Sequence, residues 1–257
     1  MQSQEDLRER LQRLDGKGYK AYQDIEGVYD FGEFLLYVDR VQGDPFASPS
    51  AVRVRVRGSV AGFPEDTYAN KSREVALRDF LTRKFARSAQ ELGKGIRGTG
   101  NSGLIAIDRP GQEILERTSV WISESHVEAR FVIGLPAFGR RIAGRHAASM
   151  FFEELPRIVK RSLVYRSLDP EALTRHIQTA EDADALRGKL EELGLVAFVA
   201  DGSVLPRASG VDPRPLREGR VVAFASLESL RVEVALPNRG RVQGMGVPKG
   251  VTLVVGG

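Results

Sequence analysis

Val52-Arg53-Val54-Arg55-Val56-Arg57 constrains the fold more than any other run in the 257-residue chain, because strict alternation suits only one kind of backbone. Side chains of a strand change face at every residue, so the three valines share one face and the three arginines the other. The segment reads as a half-buried strand in a layered sheet, with alternate arginines about 6.6 Å apart in a row. Such a row can follow the phosphates of an extended nucleic-acid strand through the guanidinium fork. It can equally be a solvated outer face paired with cross-strand carboxylates, and the residues alone leave both readings open.

Hydrophobic periodicity fills in the rest. Leu7, Leu11 and Leu14 predict a helix over 6–14, ended by Asp15-Gly16-Lys17-Gly18. Strands are predicted over 33–41 and 51–57, separated by the turn-rich run Gly43 to Ser50. Asn70 is placed to cap a strong helix ending at Leu92, with Val75, Leu77, Phe80, Leu81, Phe85 and Leu92 as its apolar stripe. Strands follow over 104–107, 118–123 and 127–133, then a long helix over 144–168 that Pro156 should interrupt. Asp169-Pro170 opens a second region. It has two helices over 170–176 and 180–193, a strand over 194–200, a proline-rich loop over 206–215, and β structure over 230–236, 241–244 and 251–255.

The longest apolar run, Leu195 to Ala200, is far shorter than the roughly 20 residues that span a bilayer, and the polar start lacks a signal-peptide core. A cytoplasmic protein without a membrane partner is expected. With no cysteine, disulfides and Cys-ligated zinc are excluded, and the His126-Val127-Glu128 likeness to a zinc deaminase fails with them. Charge is segregated beneath a net of +4. Residues 45–109 carry twelve Lys/Arg against six Asp/Glu and residues 129–166 eight against two, whereas residues 1–43 hold six against nine and residues 167–202 three against eight. Basic blocks of this kind point to an anionic partner.

Two loops lie in those blocks. Lys94-Gly95-Ile96-Arg97-Gly98-Thr99-Gly100-Asn101-Ser102-Gly103 superficially resembles a phosphate cradle, but Asn101 stands where a P-loop lysine is needed and the following residues read as a strand. A flexible anion-contacting loop, with Lys94, Arg97 and Asn101 as contacts, and a mere connector both fit. Arg140, Arg141 and Arg145 crowd a helix start, where positive charge opposes the helix dipole; an external anion would account for them. Asp108 and Asp201 end apolar strands in the manner of a Walker B aspartate, but are better read as turn residues. Asp24, Glu26, Asp30, Glu33 and Asp39 match no metal loop and are expected to be solvated or paired with the basic blocks.

The tail Gly250-Val251-Thr252-Leu253-Val254-Val255-Gly256-Gly257 has the form of the strand that enters a phosphate-binding loop. Gly-Lys occurs at 16–17, 93–94 and 188–189, each time without the serine or threonine that the P-loop mechanism requires.

Six runs together resemble bacterial ATPases of the ABC class: Asp15 to Tyr22, Val41 to Ser50, Asp79 to Arg83, Ile107 to Glu113, Phe198 to Gly202 and Leu236 to Arg241. The resemblance implies a mixed α/β fold: an α+β N-terminal domain over 1–167 with a mixed or antiparallel sheet, then the start of a P-loop ABC-type ATPase domain over 168–257. It further implies that Gly256 and Gly257 begin the nucleotide-binding Walker A loop and that the chain is truncated there. The Walker lysine, the Walker B carboxylates and the signature motif would all lie beyond Gly257. ATP and Mg2+ would then serve the full-length parent, with little binding to this chain alone and no catalytic or metal-ligating residue within it. Nucleic acid, RNA ahead of DNA, is the expected partner through Arg53, Arg55, Arg57, Lys94, Arg97, Asn101, Arg140, Arg141 and Arg145, with Tyr19 or Tyr22 stacking on bases. The remainder of the ATPase and a homodimer are the other partners the reading admits. The alternative is a docking or dimerisation module that regulates the ATPase core without touching nucleic acid.

Overall fold

A computed structural model describes residues 1–219 and 221–253. It divides into two compact units: residues 1–110 with 115–173, and residues 111–114 with 174–257.

The first unit begins with β1 (Gln2–Ser3) and α1 (Gln4–Leu14). The Ser3 Oγ accepts the Asp6 amide N–H at 3.1 Å and the Asp6 carboxylate accepts the Ser3 amide at 2.7 Å, a reciprocal cap that starts the helix earlier than periodicity predicts. A 3-10 turn (Tyr19–Ile25) leads to β2 (Gly27–Asp30), β3 (Phe34–Arg40) and β4 (Ser50–Arg57). After α2 (Gly58–Ala61) and a 3-10 turn over Glu65–Tyr68 comes α3 (Lys71–Leu92), capped as expected by Asn70, whose side chain accepts the Arg73 amide at 3.0 Å. Then follow β5 (Ile105–Ala106), β6 (Val120–Ile122), β7 (His126–Ile133) and the hairpin of β8 (Ala137–Phe138) with β9 (Arg141–Ile142).

The seven-stranded sheet runs β1-β2-β3-β4-β7-β5, with β6 also pairing β7. It is mixed, because β1 pairs β2 in parallel and every other pairing is antiparallel. The alternation of β4 is realised in full. Val52, Val54 and Val56 are buried, and Phe131 on the same sheet meets Phe85 of α3 at 4.8 Å between ring centres. Burial of each valine contributes about 1.5–3 kcal/mol as an upper estimate, which sets the register, since a slip of one residue would bury the arginines instead.

One helix departs from expectation. α4 (Gly144–Ser149), a π-helical turn (Met150–Glu154) and α5 (Leu155–Leu163) run on without a break, although Pro156 lies within. Proline lacks an amide and its ring clashes with the carbonyl one turn earlier. The wider π turn just before it leaves Pro156 in the first turn of α5, where neither defect matters.

The second unit holds most of α6 (Pro170–Lys189), β10 (Leu195–Ala200), β11 (Arg231–Leu236) and β12 (Gly240–Pro248), in an antiparallel sheet ordered β10-β12-β11. Where two helices were expected there is one, because Gln178 and Thr179 carry nothing that stops a helix. The predicted turn at 237–240 exists and is fastened by Asp182 of α6, whose carboxylate accepts the Asn238 and Arg239 amides at 2.9 and 3.0 Å. β12 runs on past Gly244 to Pro248, which pairs Leu195, and the Lys249 amide beyond it donates to the Gly194 carbonyl at 3.0 Å. Of the strand expected over 251–255, Val251 to Leu253 have no regular structure, while Val254 and Val255 lie outside the described residues.

Candidate nucleic-acid interface

Four loops converge at one end of the first unit's sheet and are knitted together by main-chain bonds. The glycine-rich loop meets the β3–β4 connection through the Asn101 amide on the Pro45 carbonyl (2.9 Å) and the β8–β9 hairpin through the Thr99 amide on the Ala137 carbonyl (2.8 Å). The turn after α1 joins the same hairpin, with the Tyr19 amide on the Arg140 carbonyl and the Ile142 amide on the Lys17 carbonyl, both 2.9 Å. Glycine is required here for close approach. A Cβ at Gly134 would stand 1.7 Å from the Asn101 carbonyl oxygen, and Gly100, at φ +60°, would bring one within 2.4 Å of the Pro45 oxygen.

Much of the loop is held by the protein itself. The amides of Arg97, Thr99, Asn101, Ser102, Gly103 and Leu104 all donate within the protein. Its side chains are held too. Lys94 Nζ reaches Glu153 and Ser149 at 2.8 Å, and the Asn101 side-chain amide donates to the Ala47 carbonyl at 2.9 Å. Arg97 donates to both oxygens of the buried Glu154 carboxylate at 2.6 and 2.7 Å.

The hairpin presents the remaining cations. Arg140 is 81% exposed while its Nε holds the Asp44 carboxylate at 2.7 Å. Asp44 is kept below the ordinary carboxylate range first by the Phe46 amide and then by Arg140. Arg141 is exposed and donates to the Gly16 carbonyl at 3.1 Å. Arg145 is exposed and makes no ion pair among the described residues. Its position at a helix start has an internal explanation, since the Asp15 carboxylate accepts the Gly144 amide at 2.7 Å and supplies the negative charge the dipole favours.

Arg53, Arg55 and Arg57 lie on the sheet face away from α3 and do not stand free. Arg53 binds Asp39 at 2.6 Å and Glu128 at 3.1 Å, Arg55 binds Glu128 at 2.8 Å, and Arg57 lies 3.6 Å from Asp30. Arg130 joins Glu128 at 2.8 Å, and Arg53 and Arg55 both sit over the Tyr37 ring. Burial pushes the Glu128 carboxyl up, but hydrogen bonds from Arg55 and Arg130 and the charge of Arg53 outweigh it and hold the group below 4.5. The acidic residues of the early chain are thus largely paired, as expected.

The expected stacking residues are corrected. Tyr19 and Tyr22 are buried, their hydroxyls donating to the Leu135 and Pro136 carbonyls at 3.0 and 2.8 Å, so neither ring can meet a base. Burial raises both phenols well above their ordinary value. The exposed aromatic rings at this end are Phe46 (71%) and Phe138 (60%), and the glycine-rich loop carries the exposed Ile96 (74%). Phe138 stands edge-on to His146 at 5.5 Å. Sequence reasoning missed both phenylalanines, though Phe46 sits in a run of turn residues and Phe138 beside Gly139-Arg140, contexts that keep an aromatic ring out of the core.

Of the glycine-rich loop, the amides of Lys94, Arg97, Thr99, Asn101, Ser102 and Gly103 donate within the protein; no group of acidic or histidine side chains among the described residues could hold a metal, and Gly256 and Gly257 lie outside those residues. Asp201 lies in a turn as expected and receives the Ser226 hydroxyl and amide, whereas Asp108 lies in no turn and receives the Ser119 hydroxyl from 11 positions along the chain. No helix among the described residues is long and apolar enough to cross a membrane.

No curated protein matches the chain. Two family descriptions do: the N-terminal domain of ATPases of the ABC class over residues 4–166, and the P-loop domain of the ABC ATPases over residues 169–257. Together they leave little of the sequence unmatched, and the mixed α/β architecture agrees with them. The chain belongs to the ABC-class ATPases, with that family's N-terminal domain followed by P-loop domain sequence.

Proposed function

We propose that the first unit grips single-stranded nucleic acid, RNA in preference to DNA, for an ABC-class ATPase. The observation that carries this reading is the loop end itself, where exposed Phe46 and Phe138 stand among exposed Arg140, Arg141 and Arg145 on a framework held rigid by main-chain bonds. Unpaired bases stack on aromatic faces without regard to sequence while cations follow the phosphates, and rigid loops lose little entropy on binding. Arg53, Arg55 and Arg57 add positive potential from the sheet face, but their guanidiniums already serve carboxylates, so their share is long-range. Lys94, Arg97 and Asn101 shape the loop that carries the interface. ATP and magnesium use belong to the family, and no residue named here is assigned to them.

Photocrosslinking of 4-thiouridine-substituted single-stranded RNA to the chain, followed by peptide mapping, tests the location. Crosslinks at residues 44–47 and 137–146 support it. Efficient crosslinks confined to other segments, or none above a neutral-polymer background, exclude it. Self-association of the chain without RNA affinity would favour the docking alternative, to which exposed apolar residues are also suited.

A further inference from the structure

The run Asp15 to Tyr22 is accounted for by packing at nearly every position. Asp15 caps Gly144, Gly16 turns at φ +74° and donates to the Ile142 carbonyl, and Tyr19 and Tyr22 are buried. Lys17 is not. Its carbonyl binds the hairpin, but its ammonium group is exposed and makes no ion pair among the described residues. Together with Arg10, Arg13, Leu14 and Asp24 it lines a cleft of about 340 Å3 between the end of α1 and the 3-10 turn that follows.

The cleft gathers three cations against one carboxylate. Arg10 is fixed in place, its guanidinium donating to the Asp24 carbonyl at 2.7 Å. Arg13 is exposed and, like Lys17, without an ion pair among the described residues. The helix dipole accounts for a cation in the last turn of α1, where Arg13 stands, but not for Lys17 beyond the helix or for the concave wall the three share. A concave site with two unpaired cations and one anchored guanidinium has the chemistry of a phosphate subsite.

We infer that this cleft binds a phosphate group, presented either by a nucleic-acid backbone or by a terminal or free phosphate. The inference stands apart from the loop-end interface, since it uses none of the same side chains and a free phosphate can fill the cleft without any strand.

The test uses the 257-residue chain, its Arg13→Gln/Lys17→Gln variant and, as control, a change at the exposed Arg175 of α6, Arg175→Gln, titrated calorimetrically with pyrophosphate and adenosine 5′-monophosphate. Arg13 and Lys17 are exposed, so the variant should keep the wild-type circular dichroism and melting temperature. The expected result is saturable binding that weakens about tenfold or more in the double variant and changes little in the control. Single-stranded RNA with a 5′-phosphate and with a 5′-hydroxyl separates the sources. If the double variant loses only the advantage of the phosphorylated end, a terminal phosphate is the ligand. If it weakens both RNAs equally and lowers the salt slope by about one or two, a backbone phosphate is. No saturable binding to wild type, equal affinity in the double variant, or equal loss in the Arg175 control would overturn the assignment. Loss of RNA affinity in loop-end variants with phosphate binding intact, or the converse, tells failure of one reading from failure of the other.

Discussion

The Asp15 carboxylate accepts the Gly144 amide at 2.7 Å, so the end of α1 caps a helix that starts 129 residues later in the chain. A cap is usually supplied by the residue just before the helix. Here Ala143 holds that place without a side-chain bond, and the acceptor comes from across the unit. This explains how a helix can begin beside Arg145 without an external anion.

Asp15→Ala is therefore expected to destabilise the first unit by about 1 kcal/mol, and Asp15→Asn by less, because the amide oxygen still accepts. Urea denaturation followed by far-ultraviolet circular dichroism measures both. Equal losses in the two variants would mean that charge, not the cap, is what matters.

Tyr22→Phe should cost about 0.5–1.5 kcal/mol, since it removes one of two hydrogen bonds to the Pro136 carbonyl, which keeps the Ala143 amide at 3.0 Å, and leaves the ring packed. A melting temperature unchanged within error would show that the hydroxyl does not hold the hairpin's root.

Arg97 and Glu154 form a buried pair that fastens the glycine-rich loop to the π turn. Each single change, Arg97→Met or Glu154→Gln, is expected to cost about 3 kcal/mol by leaving its partner unpaired, and the double variant less than the sum. A double-mutant cycle by chemical denaturation reads the coupling, and additive losses would rule the latch out.

How far the sequence disclosed all this varies with the kind of signal. The Val52 to Arg57 alternation, the α3 stripe and the Asn70 cap were legible because each is a local pattern that local geometry satisfies. Pro156 misled because its cost is removed by a π turn upstream, which no periodicity announces. Tyr19 and Tyr22 were misassigned because a polar hydroxyl in a basic, glycine-flanked run looks exposed; their partners, the Leu135 and Pro136 carbonyls, are more than 110 positions away. The arginine row was read correctly as a face, but Glu128, the carboxylate that gathers it, became visible only once β7 was set beside β4.

Glu128 also sets an acid dependence. Its carboxyl titrates below 4.5 when folded despite the opposing effect of burial, so the stability it contributes is fully present above that value and is lost as pH falls through the folded one. Burial and the nearby Arg55 charge lower His126 as well, which acts in the same direction because its neutral form is favoured. Unfolding free energies measured from pH 7 down to pH 3 should fall less steeply in Glu128→Gln than in wild type. Parallel curves would contradict the depressed carboxylate.

Affinity for fluorescein-labelled single-stranded RNA, measured by anisotropy across a salt series, tests the central claim most directly. With stacking worth about 1–3 kcal/mol per base, Phe46→Ala/Phe138→Ala should weaken binding by tenfold or more at an unchanged salt slope, while Arg140→Gln/Arg141→Gln should weaken it and flatten the slope by about two. RNA affinity and salt slope identical in wild type and both variants would show that the strand is not held at this end of the sheet.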